Sequence, residues 1–174
     1  LLPVPGDGQY EWDGYFDMDT LPVEYNPKRG YLATANSMNL PLGYPIKDFK
    51  IGFEWSAPWR YLRIIEALEG NANHSMEDSA RLQRDYRSLL AREVISKLPR
   101  LSAYDQNLLS NWDFVLSPDS PSAALWAVWY YKYLVPNIKV LIDPYLQRPV
   151  GFFEIDSLTV LDLLNTERAK AIAY

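Results

Sequence analysis

NPKRGYLATANSMNLPLGYPIKDFKIGFEWSAPWRYLRI, residues 26–64, is the stretch on which the reading of the fold turns. It opens with Asn26-Pro27-Lys28-Arg29-Gly30, where the pre-proline residue is pushed towards extended backbone and a glycine can close the turn. Tyr31-Leu32-Ala33-Thr34-Ala35 is short, mostly apolar and built of small side chains, so the expectation is a buried strand packed closely on a neighbour and ended by Asn36. An uncharged amide donates two hydrogen bonds and still accepts others, which suits an oxyanion. Residues 37–50 contain Pro41, Gly43 and Pro45 without a helical period and read as an ordered loop.

Residues 50–55 alternate well enough for a second strand, and Ser56-Ala57-Pro58 offers a cap and an early proline for a helix. Leu62, Ile65 and Leu68 share one face of that helix, and Gly70-Asn71 stop it. Arg60 falls in its first turn, where a cation opposes the helix dipole, and it has no acidic residue at i+4. Its placement calls for another reason, with an ordinary surface arginine as the plain alternative.

Upstream, residues 1–22 are prolines, glycines and aspartates punctuating aromatics, with short strands expected over 9–12 and 14–16. Tyr10, Trp12, Tyr15 and Phe16 read as anchors packing this loop onto a core. Downstream, Ser75-Met76-Glu77-Asp78 starts a long helix whose apolar side is Leu82, Tyr86, Leu89, Leu90, Val94 and Leu98. Arg81, Arg84, Arg87, Arg92, Asp85 and Glu93 form its solvated face. Residues 101–112 repeat the pattern more briefly. After the linker 117–121, residues 123–134 form the most apolar helix, with Ala124, Leu125, Val128, Trp129 and Leu134 expected inward. A final helix is expected over 156–172, with Leu158, Leu161 and Leu164 inside.

Composition narrows the chemistry. A net charge of −5 with only 17 dispersed Lys and Arg argues against a nucleic-acid binder. The absence of cysteine excludes disulfides, thiolate metal sites and a cysteine nucleophile. A lone histidine, His74, makes a Ser-His-Asp triad or a histidine zinc site a poor fit. No apolar run reaches membrane-spanning length. With 48% hydrophobic residues, a chain of 174 can form one domain or part of a larger one.

Several blocks, in order, resemble the β-chain of the penicillin acylase (penicillin amidase) family of N-terminal-nucleophile hydrolases. They are Pro3-Val4-Pro5-Gly6, Tyr10-Glu11-Trp12-x-Gly14, Leu21-Pro22, Asn26-Pro27, Gly30-Tyr31-Leu32-Ala33-x-Ala35-Asn36, Glu54-Trp55-x-x-Pro58-x-Arg60-x-x-Arg63-Ile64 and Asn111-Trp112-Asp113. The resemblance implies an α+β chain, part of an αββα fold. Residues 1–58 would be a strand-rich active-site segment and residues 59–174 a mainly helical segment of one larger domain. It also implies that Asn36 matches the family's oxyanion-hole asparagine and Arg60 its active-site arginine. Asp48 would correspond to a carboxylate that helps bind a structural calcium in some relatives, with a solvated surface aspartate as the alternative; no other cofactor is implied. No residue matches the family's N-terminal serine, which lies well upstream of Asn26-Pro27. The expectation is therefore an internal β-chain portion, inactive alone and partnered by the α-chain and the start of the β-chain of one precursor. The family's setting is periplasmic or secreted, and its substrates are small acyl amides of penicillin or acyl-homoserine-lactone type. A non-catalytic, aromatic-rich binding or packing module is the competing reading.

Overall fold

Six of the thirteen prolines and six of the eight glycines fall within residues 1–55. Proline withdraws a backbone donor and glycine raises the entropy cost of regular structure, so this third of the chain is poorly suited to any repeating ladder. The computed structural model describes residues 3–52, 54–98, 107–142 and 155–166. The chain divides into two units, one of Leu1–Leu32 with Met38–Trp55 and one of Ala33–Ser37 with Ser56–Tyr174.

Among its described residues the first unit consists of turns and extended segments with one 3₁₀ turn at Met18–Thr20, capped by the Asp17 carboxylate on Asp19 N. Gly30, at φ +78°, closes the Pro27 turn through its N–H on Pro27 O at 2.9 Å. Phe49 stacks obliquely between Phe16 and Tyr44, with centroids 5.6 and 6.5 Å away. None of the unit's described residues is buried. Trp12 and Tyr15 are almost fully exposed, and Tyr10 and Phe16 are exposed as well.

The α+β expectation is overturned. Among the described residues there is no strand, only helices and one isolated antiparallel bridge between Arg87 and Val115. The expected strands over 9–12, 14–16, 31–35 and the described part of 50–55 are unpaired chain, Phe53 lying outside the described residues. At 31–35 the physical reason is visible. Exposure does alternate, with Ala33 and Ala35 more covered than Leu32 and Thr34, but alternation dictates only an extended backbone, and a ladder needs a second one. The carbonyls are taken by side chains instead. Tyr31 O accepts from Arg29 Nε at 3.0 Å and Ala35 O from an Arg60 Nη at 3.0 Å.

The second unit is helical. Helix α1 spans Trp59–Glu69, α2 Met76–Leu82, α3 Leu89–Ser96, α4 Pro121–Val128, α5 Val135–Ile142 and α6 Ser157–Leu164; a π-helical turn, Trp129–Leu134, joins α4 to α5. Ser75 forms a capping box with Asp78, its Oγ accepting from Asp78 N at 3.1 Å while Asp78 Oδ2 accepts from Ser75 N at 2.8 Å. The single long helix expected from Ser75 breaks into α2 and α3. Ser88 caps α3 through Ala91 N, and the intervening chain bonds to another segment, Ser88 N to Phe114 O at 2.8 Å and Leu116 N to Tyr86 O at 3.0 Å. An apolar period that runs across a second N-cap residue is two helices whose faces happen to be in phase.

The core is formed by Ala91 and Val94 of α3, Leu109, Trp112, Ala123 and Trp126 of α4, Tyr130 and Leu134 of the π turn, Ile138 of α5, and Val160, Leu161 and Leu164 of α6. Of the expected helix over 101–112, residues 107–109 are described and helical; residues 167–172 of the last expected helix also lie outside the described set. The inward face of α4 differs from the expected one: Ala123 and Trp126 are buried, while Val128 is 52% exposed. Trp126 stacks on Tyr130 at 4.7 Å, and the wide turn that follows keeps Tyr130, Leu134 and Ile138 in line at four-residue steps. Pro136 has no N–H to offer an i−4 carbonyl, and the preceding turn is wound wide, with Val135 N–H reaching Tyr130 O. Burial pushes the Tyr130 phenol up to about 12, with Tyr131 and Asp156 adding to the effect. Trp59 Nε1 donates to Ser157 Oγ at 2.7 Å and fastens the start of α1 to α6.

Trp126→Ala should cost about 3–5 kcal/mol in urea denaturation of the chain, the range for truncating a buried tryptophan. Val128→Ala should stay within about 0.5 kcal/mol. The reverse order would return Val128 to the inward face.

Candidate active site

Two neighbouring accidents of sequence bring Asn36 and Arg60 together. Asn36 adopts φ +58°, a left-handed conformation that asparagine tolerates better than most residues, and its carbonyl accepts from Ser56 N at 2.7 Å. Pro58 then starts α1, without a side-chain cap, and places Arg60 in the first turn. From there one Arg60 Nη donates to both Ala35 O at 3.0 Å and Asn36 Oδ1 at 2.9 Å. Asn36 is exposed and left-handed rather than the end of a buried strand, while Ala35 and Ser37 on either side are buried.

A guanidinium has donors only, so the Asn36 amide must turn its oxygen to Arg60 and its nitrogen away. Among the described residues Nδ2 has no hydrogen-bond partner. Arg60 in turn is paired with two neutral oxygens and with no described carboxylate. The dipole penalty of a cation in a first turn is offset by those carbonyl contacts, which resolves its unfavourable position in the sequence.

Beside them lies a cavity of about 520 Å³ with Thr34, Asn36, Arg60, Arg63, Asp85 and Arg87 on its walls. Arg63 donates through Nε and Nη2 to Asp85 Oδ2 at 2.9 and 2.5 Å, and through Nη1 to Glu66 Oε2 at 2.9 Å. Arg92 of α3 donates to the other oxygen of Glu66 at 2.8 Å. Asp85 Oδ1 accepts from Arg87 N at 2.8 Å. Burial alone would raise the Asp85 carboxyl, but Arg63 and the Arg87 N–H outweigh it and hold it below its ordinary value. Glu66 is lowered chiefly by Arg92, against a smaller burial effect. The sequence pattern puts Asp85 and Arg87 on a solvated helix face; in the structure both are half-buried and line the cavity. Ser88, a cap residue three positions after Asp85, is the signal that the helix is interrupted there.

The remaining sequence candidates lie elsewhere. Asp48 is exposed on a turn, its N–H on Pro45 O at 3.0 Å, and among the described residues no three acidic or histidine side chains gather where a cation could be held. Hard cations of calcium type take six to eight oxygen ligands, so the donors described here do not fit a self-contained site. His74 Nε2 lies 3.1 Å from Ser79 Oγ, but the adjacent Asp78 carboxylate is already engaged by Ser75, Asn71 and Arg81. No triad forms there. None of the described helices is long and apolar enough to cross a membrane.

Comparison with known proteins gives a consistent picture. The family model described as Penicillin amidase matches residues 1–168. The acyl-homoserine lactone acylase QuiP of Pseudomonas aeruginosa is 30% identical over 155 residues, 76% of this chain and 18% of that protein. QuiP of Pseudomonas putida is 38% identical over 95 residues, 54% of this chain and 11% of its own length. The penicillin G acylase of Escherichia coli is 39% identical over 69 residues, 39% of this chain and 8% of that enzyme. The chain thus spans less than a fifth of the length of these relatives.

The ion network governs how the cavity wall responds to acid. Asp85 and Glu66 have folded pKa values below their ordinary 3.8 and 4.5, so the unfolded chain binds more protons in acid than the folded one. Their contribution is complete above the ordinary carboxylate range and is lost as pH falls through the lowered folded values. The urea midpoint should be nearly flat from about pH 7 to 5 as far as these groups decide it, and fall below about pH 4. Asp85→Asn should be less stable at pH 7 and show a shallower acid-side fall. A variant that keeps the full acid slope would place its source elsewhere.

Proposed function

The chain belongs to the penicillin amidase family, and from that premise we propose that it is part of an amidohydrolase that cleaves small acyl amides, with Asn36 as a donor of the oxyanion hole. The observation that carries this reading is the Arg60–Asn36 hydrogen bond at 2.9 Å, which occupies the amide oxygen and leaves the Nδ2 hydrogens for a ligand beside the cavity. When an amide carbonyl is attacked, its oxygen gains negative charge, and a rigid neutral donor stabilises that charge without competing for the proton.

In this reading the nucleophile is a serine with a free α-amino group carried outside residues 1–174, the amino group taking the serine proton directly or through water. The serine oxygen bonds to the carbonyl carbon, and the C–N bond then breaks as the amine leaves with a proton. Asn36 and a backbone N–H hold the tetrahedral oxyanion, and Arg60 holds Asn36. Acylated homoserine lactones and penicillins are the two substrate types that the relatives' names suggest. The partners are the remaining segments of the same precursor, and the setting is periplasmic or secreted.

In the complete enzyme, Asn36→Ala should lower kcat for an acyl amide roughly a hundred- to a thousandfold, KM changing less, as expected for loss of one oxyanion donor. Arg60→Lys should give an intermediate loss, since a lysine can reach a carbonyl but orients the amide less rigidly. A variant at Asn36 that loses thermal stability while its folded fraction keeps the wild-type rate would remove the oxyanion assignment.

A further inference from the structure

The charges on the wall of the cavity beside Asn36 do not balance. Four ionisable residues line it: Arg60, Arg63, Asp85 and Arg87, of which Arg87 also borders the neighbouring cavity beside Glu66 and His74. Asp85 is matched by Arg63, which donates to it twice. Arg60 spends its contacts on two uncharged oxygens. The Arg87 guanidinium has no hydrogen bond or ion pair within 4 Å to any described residue, although Arg87 is half-buried and its charge is felt by Asp85. Its backbone is immobilised, with N–H on Asp85 Oδ1 at 2.8 Å and a bridge to Val115. An arginine fixed at its root, partly desolvated and without a described partner beside a cavity is placed for an incoming acceptor, because a guanidinium presents a planar fork that fits a carboxylate.

We propose that Arg87 is a specificity-determining residue of this cavity, binding a carboxylate on the amine half of the substrate. This rests on the acylase reading above. Arg87 takes no part in bond making. It anchors the leaving group, so that amides whose amine bears a carboxylate are favoured over amides with a neutral amine, a homoserine lactone included. The neighbouring Asp85 does not cancel the preference, since Arg63 already neutralises it. Thr34 and Ser88, on the same wall, can supply hydroxyl contacts to the same group.

The test uses the complete enzyme and two anilides alike in acyl group, one with a carboxylate on the aniline ring and one without, each made with a phenylacetyl and with a long-chain acyl group. Arg87→Gln should lower the preference for the carboxylated anilide roughly ten- to a hundredfold, the effect lying in KM rather than kcat, as for a lost hydrogen bond to a charged group. Arg87→Lys should restore part of the preference. Equal losses on both anilides, or an unaltered preference, would overturn the proposal. Calorimetric binding of the free aminobenzoate against aniline gives a readout independent of turnover. A wild-type enzyme that hydrolyses no anilide but binds aminobenzoate through Arg87 would sink the acylase reading and leave this site standing. Aminobenzoate binding that is absent, or that survives in Arg87→Gln, would overturn the site itself.

Discussion

The hydrogen bonds from Arg60 to Ala35 O and Asn36 Oδ1 are the constraint on which the candidate site depends. They join the five-residue piece Ala33–Ser37 to the first turn of α1, and with Ser56 N on Asn36 O they close the chain on itself at that point. A strand normally satisfies its carbonyls through a neighbouring backbone. Here an arginine side chain serves that purpose for Ala35, and because an arginine reaches only a few acceptors, the chain is held over one residue pair and not along a ladder. The same contact sets the orientation of the amide, so local backbone satisfaction and the chemistry of the site have one cause.

That dependence explains what could be read from residues alone. The helices were legible where caps and breakers agree with the apolar period: Ser75 with Asp78 ahead of α2, and Gly70 after α1. The site residues Asn36 and Arg60 stood out, the one as an amide after an apolar run and the other as a cation in a first turn with no local partner. Their meeting was not written in either feature. It depends on the left-handed turn at Asn36 and on a contact across 24 positions of sequence.

The failures have equally specific causes. Strand expectations over 9–12, 14–16, 31–35 and 50–55 rested on local composition and pattern, although pairing is a property of two segments and the described residues of these stretches pair with none. The long helix from Ser75 was read through Asp85 and Ser88, whose side chains accept from Arg87 N and Ala91 N and so compete with helical bonding. On α4 the inward face was assigned by a regular 3.6-residue period. The stacked pair of Trp126 and Tyr130 and the wide turn before Pro136 shift it, leaving Val128 in solvent. Periodicity is least reliable where bulky aromatics outnumber the positions that can be buried.

In the proposed acylase reading an oxyanion site also has to keep uncompensated negative charge at a distance, which would give the Arg63 network a role beyond holding α1 to α3. Asp85 shares the cavity wall with Asn36, and a bare carboxylate there would oppose charge building on a substrate oxygen. Two donations from Arg63 and one from the Arg87 N–H both ionise and neutralise it, while Glu66 is divided between Arg63 and Arg92. Such pairs contribute little stability when exposed, because solvent screens them and ordering long side chains costs entropy. Their value in this position is electrostatic. They fix an acid in a form that cancels locally, leaving the amide dipole of Asn36 and the two cavity-wall arginines without a described carboxylate partner, Arg60 and Arg87, to act on the proposed oxyanion position. A preorganised field of this kind needs no reorganisation when charge develops, which is the physical basis on which a single neutral amide can contribute several kcal/mol to a transition state.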